Sequence, residues 1–475
     1  MAATTTPPPV TASAARVKWA PLLLAILVGA ALFFMPTPHG LTRPGQMALA
    51  ISAFTIVLWA FGVMNNGVAS ILMMALLIPA GAKPSLALSG FSSGSWWILL
   101  SVLYYGFAMQ KTGLAARVSY YILSLFPATY SGILASFFVI GTLLSLGIPS
   151  MTVRTAIMVP IAWALVKSLD LKPRSHGSAL IMLTTIEMAV VPGLGLLYGS
   201  LDGPVVASVF ELKHLPLSYL AYARVLYLPV FILCALIVFG NQWVLKPERA
   251  LDTTPEFVRN KLRELGPFKR DEMITALIVL CSIVFWSTDR WHHLPSFFIG
   301  MVGLAVFALA GIVGNADIAS GISWTLLLFM GGIFSLQNVL TEYKLTDWLA
   351  GYFVPITQRL TFSVIVVLLA IGIMTLALRF LDPSGFIAIV VTFVPIVDTT
   401  TAAGIAPLIL TAALLIPSVP FWATYQNIWV AMGEAITEGM AFSGAERVRL
   451  ASLYSVLALL TVIASVGYWK LIGAL

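Results

Sequence analysis

Charge is scarce in this chain. Of its 475 residues only 9% are Asp, Glu, Lys or Arg, against about 25% in a typical soluble domain. With 60% hydrophobic residues and a mean hydropathy of +0.98, that shortage excludes a soluble globular protein. Period-two alternation is lacking as well. An outer-membrane barrel alternates apolar and polar residues in segments of about 10, whereas the apolar runs here are long and continuous. Cysteine is nearly absent: Cys234 and Cys281 lie inside apolar spans, without the spacing of a metal site, and read as small core residues. Acidic residues are outnumbered, 19 to 26. The excess is no nucleic-acid signal, because seven basic residues fall in the single segment Lys246–Arg270, and basic residues in short loops mark the cytoplasmic side of a membrane. The bilayer is the partner, and the fold class is an all-α polytopic membrane protein.

Residues 1–15, with Thr4-Thr5-Thr6-Pro7-Pro8-Pro9, read as a disordered tail. Arg16 and Lys18 precede an apolar run from Trp19 to Met35 that resembles a signal peptide but has no convincing small-x-small cleavage site; residues 16–44 are taken as a retained first transmembrane helix. At about 20 apolar residues per crossing, the candidate spans are 19–36, 47–63, 67–80, a long element at 95–126, 177–200, 220–245, 272–289, 295–314, 321–349, 403–431 and 449–473. The basic link 246–270 divides two halves, 45–245 and 271–475, and its Phe257, Val258, Leu262 and Leu265 predict a short helix lying on the membrane.

Each half holds one apolar hairpin with a Pro-Ser tip. The first, 131–167, turns at Gly147-Ile148-Pro149-Ser150-Met151-Thr152; the second, 362–398, turns at Asp382-Pro383-Ser384-Gly385. Each tip leads to a Pro-Ile pair, Pro160-Ile161 and Pro395-Ile396. Phe107-Ala108-Met109-Gln110 precedes the first hairpin and Phe334-Ser335-Leu336-Gln337 the second. Each hairpin is followed by a helix broken near its middle, at Val191-Pro192-Gly193-Leu194-Gly195 and at Ile416-Pro417-Ser418-Val419-Pro420. Broken backbone at membrane depth survives only where protein or a water-filled cavity covers the freed N–H and C=O groups. Interrupted segments paired in two halves mark a transporter's binding site. The reading is therefore two inverted repeats, about 11 transmembrane helices plus two re-entrant hairpins. With a cytoplasmic N-terminus, Lys167, Lys172, Arg174, the link, Glu434, Glu438, Arg447 and Arg449 fall inside, and Arg290, His292 and His293 fall outside.

From about residue 45 to the C-terminus, this element order, the two hairpins and local stretches such as Trp324 through Gly331-Gly332 resemble the divalent-anion:sodium symporter family, which carries dicarboxylates, citrate or sulfate. The resemblance implies alternating access, substrate between the two tips, and two copies joined through scaffold helices. The family's tips read Ser-Asn-Thr. Here tip 1 reads Ser150-Met151-Thr152, and at tip 2 only Ser384 corresponds. The family's Pro-Pro-Asn after the second broken helix appears as Tyr425-Gln426-Asn427. Ser150, Thr152, Ser384 and Asn427 are thus the substrate candidates that the resemblance implies. It places any sodium near Ser150, Gly193 and Ser384, while the altered tips put sodium coupling in question.

Ser150, Thr152 and Ser384 also stand where helix N-termini begin. Their hydroxyls and the free N–H groups there suit a carboxylate, or serve as plain helix caps. Arg154, two positions past tip 1, is either a fork for a substrate carboxylate or a structural arginine, because an arginine in a membrane interior costs at least about 2.5 kcal/mol and faces a cavity or a partner. Arg379 and Asp382 pair with each other, or Arg379 joins Arg154 in supplying charge that a coupling cation supplies in relatives. Glu187, mid-span in Thr184-Thr185-Ile186-Glu187-Met188, carries a proton or bonds its threonines. The expected protein is an inner-membrane secondary transporter of small organic anions, foremost C4-type dicarboxylates, without a cofactor and coupled to Na⁺, to H⁺ or to exchange. The alternatives are an exchanger or exporter of a sulfonate, phosphonate or oxyanion, and a membrane-embedded enzyme. Against the enzyme, the sequence holds no paired His-Glu metal motif, no Ser/His/Asp arrangement and no phosphate-binding glycine loop.

Overall fold

The structure is a computed structural model describing residues 18–251, 256–345, 348, 363–380 and 386–475. Among them the regular structure is helical, as continuous apolar runs in lipid require. The first half comprises α1 (Trp19–Phe34), α2 (Arg43–Phe61), α3 (Asn66–Leu77), α4 (Gly94–Thr112), α5 (Leu114–Leu125), α6 (Tyr130–Gly147), α7 (Met151–Ser168), α8 (His176–Val190), α9 (Asp202–Leu212) and α10 (Tyr219–Val244). The link carries α11 (Glu256–Glu264). The second half comprises α12 (Arg270–Ser287), α13 (Ser296–Leu309), α14 (Trp324–Glu342), α15 (Val364–Leu378), α16 (Phe386–Ala402), α17 (Pro407–Leu415), α18 (Ile428–Ile436) and α19 (Gly444–Leu471). Hydroxyl side chains start many of them. Thr42, Ser93, Thr129, Ser150, Ser175, Ser218 and Ser323 each accept a backbone N–H of the first turn.

Two readings of the sequence are corrected. The stretch 95–126 is not one helix: Gly113, at φ +88°, ends α4 and starts α5, a left-handed conformation that glycine adopts without strain. Cys234 is buried, but Cys281 is exposed on α12. The predicted link helix forms, and its Val258 is buried. It packs on α5, where Arg117 donates to the carbonyls of Leu265, Gly266 and Pro267 and pairs with Glu272 at 3.0 Å.

Among the described residues, elements of one half answer elements of the other in chain order, and their mutual contacts are reciprocal. α3 packs on α14 while its counterpart α13 packs on α4. α7 packs on α18 while its counterpart α16 packs on α9. α10 and α19, counterparts themselves, pack on each other. Such exchange of contacts is what a two-fold relation produces, and it is the plan of inverted-repeat transporters. Glycines permit the close approaches: a Cβ on Gly332 of α14 would overlap Ser70 of α3, and one on Gly303 of α13 would overlap the Tyr105 hydroxyl of α4.

Candidate functional site

The first hairpin is α6 and α7. Its tip is covered by protein: Ile148 and Ser150 are buried, whereas Thr152, in the first turn of α7, is exposed. Ser150 caps α7, its hydroxyl accepting the Val153 N–H at 3.3 Å. α8 runs into a one-turn 3-10 segment, Val191–Gly195, before α9 starts at Asp202. The second half is built alike. α17 ends at Leu415, the chain is irregular to Thr424–Gln426, and Asn427 caps α18 by accepting the Trp429 and Val430 N–H groups at 3.2 Å each. Of the second hairpin the arms α15 and α16 are described, but the tip is not; Asp382 and Ser384 lie outside the described residues.

The structure joins tip 1 to the second half. The Trp429 indole N–H donates to the Thr152 hydroxyl at 3.3 Å, so the N-terminus of α7 meets the first turn of α18. Ser150, Thr152 and Asn427 therefore gather where the two halves meet. Trp429 was missed in the sequence, because a tryptophan in an apolar chain reads as interfacial.

Arg154 is held by backbone. Its side chain is 0% exposed. Nε donates to the Ala189 carbonyl at 2.6 Å, Nη1 to the carbonyls of Ile148 and Gly199, and Nη2 to that of Val190 at 3.4 Å. In this arrangement it offers no fork to a carboxylate and ties tip 1 to the first break. The guanidinium lies against Gly193: a Cβ there would overlap Arg154 Nη2 and the Gly199 carbonyl. Among the described residues no His, Cys, Asp and Glu cluster could hold a metal ion. Arg379 is 1% exposed and Nη2 donates to the Gln426 carbonyl at 2.7 Å.

Glu187 lies between α8 and α10. Its Oε2 accepts the Asn241 amide at 2.6 Å, and the same amide reaches the Thr184 hydroxyl at 2.9 Å. A cleft of about 230 Å³ touches the first break at Leu197 and Tyr198. It carries Glu211, whose charge would repel an anion, and none of Ser150, Thr152 and Asn427 lines it.

Comparison with known proteins matches this architecture. The family model described as "Sodium:sulfate symporter transmembrane region" covers residues 16–475. The chain belongs to that family. The spinach chloroplast dicarboxylate transporter 1 is 26% identical over 364 residues, which is 72% of this chain and 62% of that protein's length. The putative malate transporter YflS of Bacillus subtilis is 25% identical over 346 residues, 70% of this chain and 72% of that protein. The fold is also that of the YdaH transporter of Alcanivorax borkumensis, with a TM-score of 0.57 at 14% identity, covering 95% of this chain and 98% of that one. As a member of this family the chain is a membrane anion transporter, not an enzyme.

Proposed function

We propose that this transporter carries C4-type dicarboxylates by alternating access, from a site between the two hairpin tips. The observation that carries the reading is the meeting of two helix N-termini from opposite halves, α7 capped by Ser150 and α18 capped by Asn427, joined by Trp429 and Thr152. A helix N-terminus presents the positive end of a dipole, and each suits one carboxylate of a two-headed anion. Thr152 donates its hydroxyl, and Asn427, whose carbonyl oxygen is committed to the cap, offers its NH₂ group. Ser384 completes the site from tip 2. The names of the spinach and Bacillus relatives, dicarboxylate and malate transporters, agree with this substrate class. The repeats span 45–245 and 271–475, the chain sits in a bacterial inner membrane, and its N-terminus is cytoplasmic. The hairpin-bearing parts move against the remaining helices to change access.

The test is uptake of labelled succinate into liposomes containing the purified protein, with and without unlabelled succinate inside. Uptake above protein-free vesicles supports the reading, and dependence on internal succinate identifies an exchanger. Absence of uptake in both arms overturns the dicarboxylate assignment and turns the search to sulfonates, phosphonates or oxyanions.

A further inference from the structure

The surroundings of Arg154 have an unusual composition. The hydrogen-bond partners of the guanidinium are backbone carbonyl oxygens, with no carboxylate among them. They come from two interruptions of helix: Ile148 from tip 1, and Ala189 and Val190 at the C-terminal end of α8 with Gly199 in the loop beyond from the first break. Carbonyls released at a helix C-terminus carry the negative end of its dipole. Unwound carbonyls and half-helix C-termini are the ligands with which broken-helix transporters hold a small cation, and hard cations take oxygen ligands of this kind. Gly193 shapes the floor, since any side chain there would strike Nη2. A carbonyl cradle suited to a coupling cation is thus present, and a side chain occupies it.

We propose that the Arg154 guanidinium is a tethered cation standing in the carbonyl cradle that would otherwise receive a coupling sodium ion, so that this chain assembles its anion site without sodium. The second half repeats the principle with a different residue. Arg379, at the end of the arm entering tip 2, is buried and donates to the Gln426 carbonyl, one position before the cap Asn427. In both halves a buried arginine from the hairpin bonds backbone of the broken helix in its own half. A dissociable ion would make the link between hairpin and break conditional on sodium; a covalently attached cation keeps it in place throughout the cycle. The inference rests on the transport reading for the word coupling, but the cradle does not depend on which anion is carried.

The test uses the full-length protein and separates the two readings. Thermal unfolding is measured in sodium chloride and in choline chloride at equal ionic strength, for the wild type and for Arg154→Ser. Equilibrium binding of radioactive sodium is measured on both. The wild type is expected to show the same Tm in both salts and no saturable sodium binding. Arg154→Ser vacates the cradle. It is expected to have a lower Tm in choline, to recover part of the loss in sodium, and to bind sodium saturably. Saturable, stabilising sodium binding by the wild type overturns the proposal whether or not the variant folds. A folded Arg154→Ser protein indifferent to sodium overturns it as well. In liposomes, wild-type succinate uptake is expected to change less than about twofold when choline replaces sodium; a tenfold loss, equivalent to about 1.4 kcal/mol, argues against the tethered cation. Absence of succinate uptake in every salt would count against the substrate and leave the two sodium measurements to decide the cradle.

Discussion

Asn427 has two separable jobs, and one substitution can divide them. Its side chain caps α18 and is 3% exposed at the meeting of the halves. Asp is as good an N-cap as Asn and carries a charge that the helix dipole favours. Asn427→Asp should therefore keep the Tm of the wild type while raising the KM for a dicarboxylate, because a carboxylate now faces the anion. Asn427→Ala should lose about 0.5–2 kcal/mol of stability along with transport. If Asn427→Asp transports with an unchanged KM, Asn427 is a cap and nothing more. Glu187 gives the converse case. Asn241 donates to it inside a buried α8–α10 contact, and Gln keeps that hydrogen bond. Glu187→Gln should leave Tm and the pH profile of uptake as they are, whereas Glu187→Ala should cost about 1–3 kcal/mol through an unpaired buried amide. A profile flattened by Glu187→Gln would support the proton-carrying reading. At this scale the sequence told only part. Arg154 was legible as a buried arginine needing a partner, but apart from Ile148 the carbonyls that satisfy it lie 35 to 45 positions away and carry no side-chain signature. Asn241 had one signal, an amide inside the apolar run Tyr219–Val244.

Among the elements, the interrupted helices depend on contacts that only small residues allow. A Cβ on Gly141 of α6 would overlap the Met188 carbonyl of α8 one turn before the first break, and a backbone carbonyl has nowhere to swing. Gly141→Val should cost about 1–3 kcal/mol or more by overpacking, seen as a lowered Tm and a lower yield of monodisperse protein. The start of α8 is fixed from the link. Glu248 accepts the N–H groups of His176 at 2.6 Å and Gly177 at 3.2 Å. Partial burial opposes ionisation of this carboxylate, but those N–H bonds outweigh it and hold its pKa below the ordinary carboxylate range. A depressed pKa means stability that is present above the unfolded-state value and lost as pH falls through the folded one. Wild type and Glu248→Gln should accordingly differ in Tm near neutral pH and converge in acid, below about pH 4; a constant gap across that range would remove Glu248⁻ as the cap. The first hairpin and both breaks were legible because Pro, Ser and Gly interrupt apolar runs there. The division at Gly113 was not, since a lone glycine inside an apolar run also fits an unbroken helix.

For the whole molecule, the bonds between loops sort the charged ends into two groups. Arg174 donates to the Gly439 carbonyl, Arg249 to those of Leu169 and Asp170, and Glu248 meets the start of α8, so the 167–176 turn, the link and the 438–440 turn lie together. Arg117 adds the end of the link to the same group. Elsewhere, Lys213 pairs with Asp398 at 2.6 Å, and Arg224 reaches the Ile472 carbonyl. The first group holds the excess of Lys and Arg and should face the cytoplasm. The decisive element is α12, which leads out of that group from Arg270 to Ser287. Its 18 residues rise about 27 Å, close to the thickness of a bilayer core. Charges at Arg270, Asp271 and Glu272 occupy its first turn, at the end joined to the link. In a protein lacking Cys234 and Cys281, Arg263→Cys should react with a membrane-impermeant maleimide only after permeabilisation, and His293→Cys should react in intact cells. The reverse pattern would invert the orientation while leaving the fold as it is. Labelling of both from one side would mean that α12 does not cross. The second half would then begin on the wrong side to mirror the first, and two tips approaching one anion site from opposite faces would be lost with it.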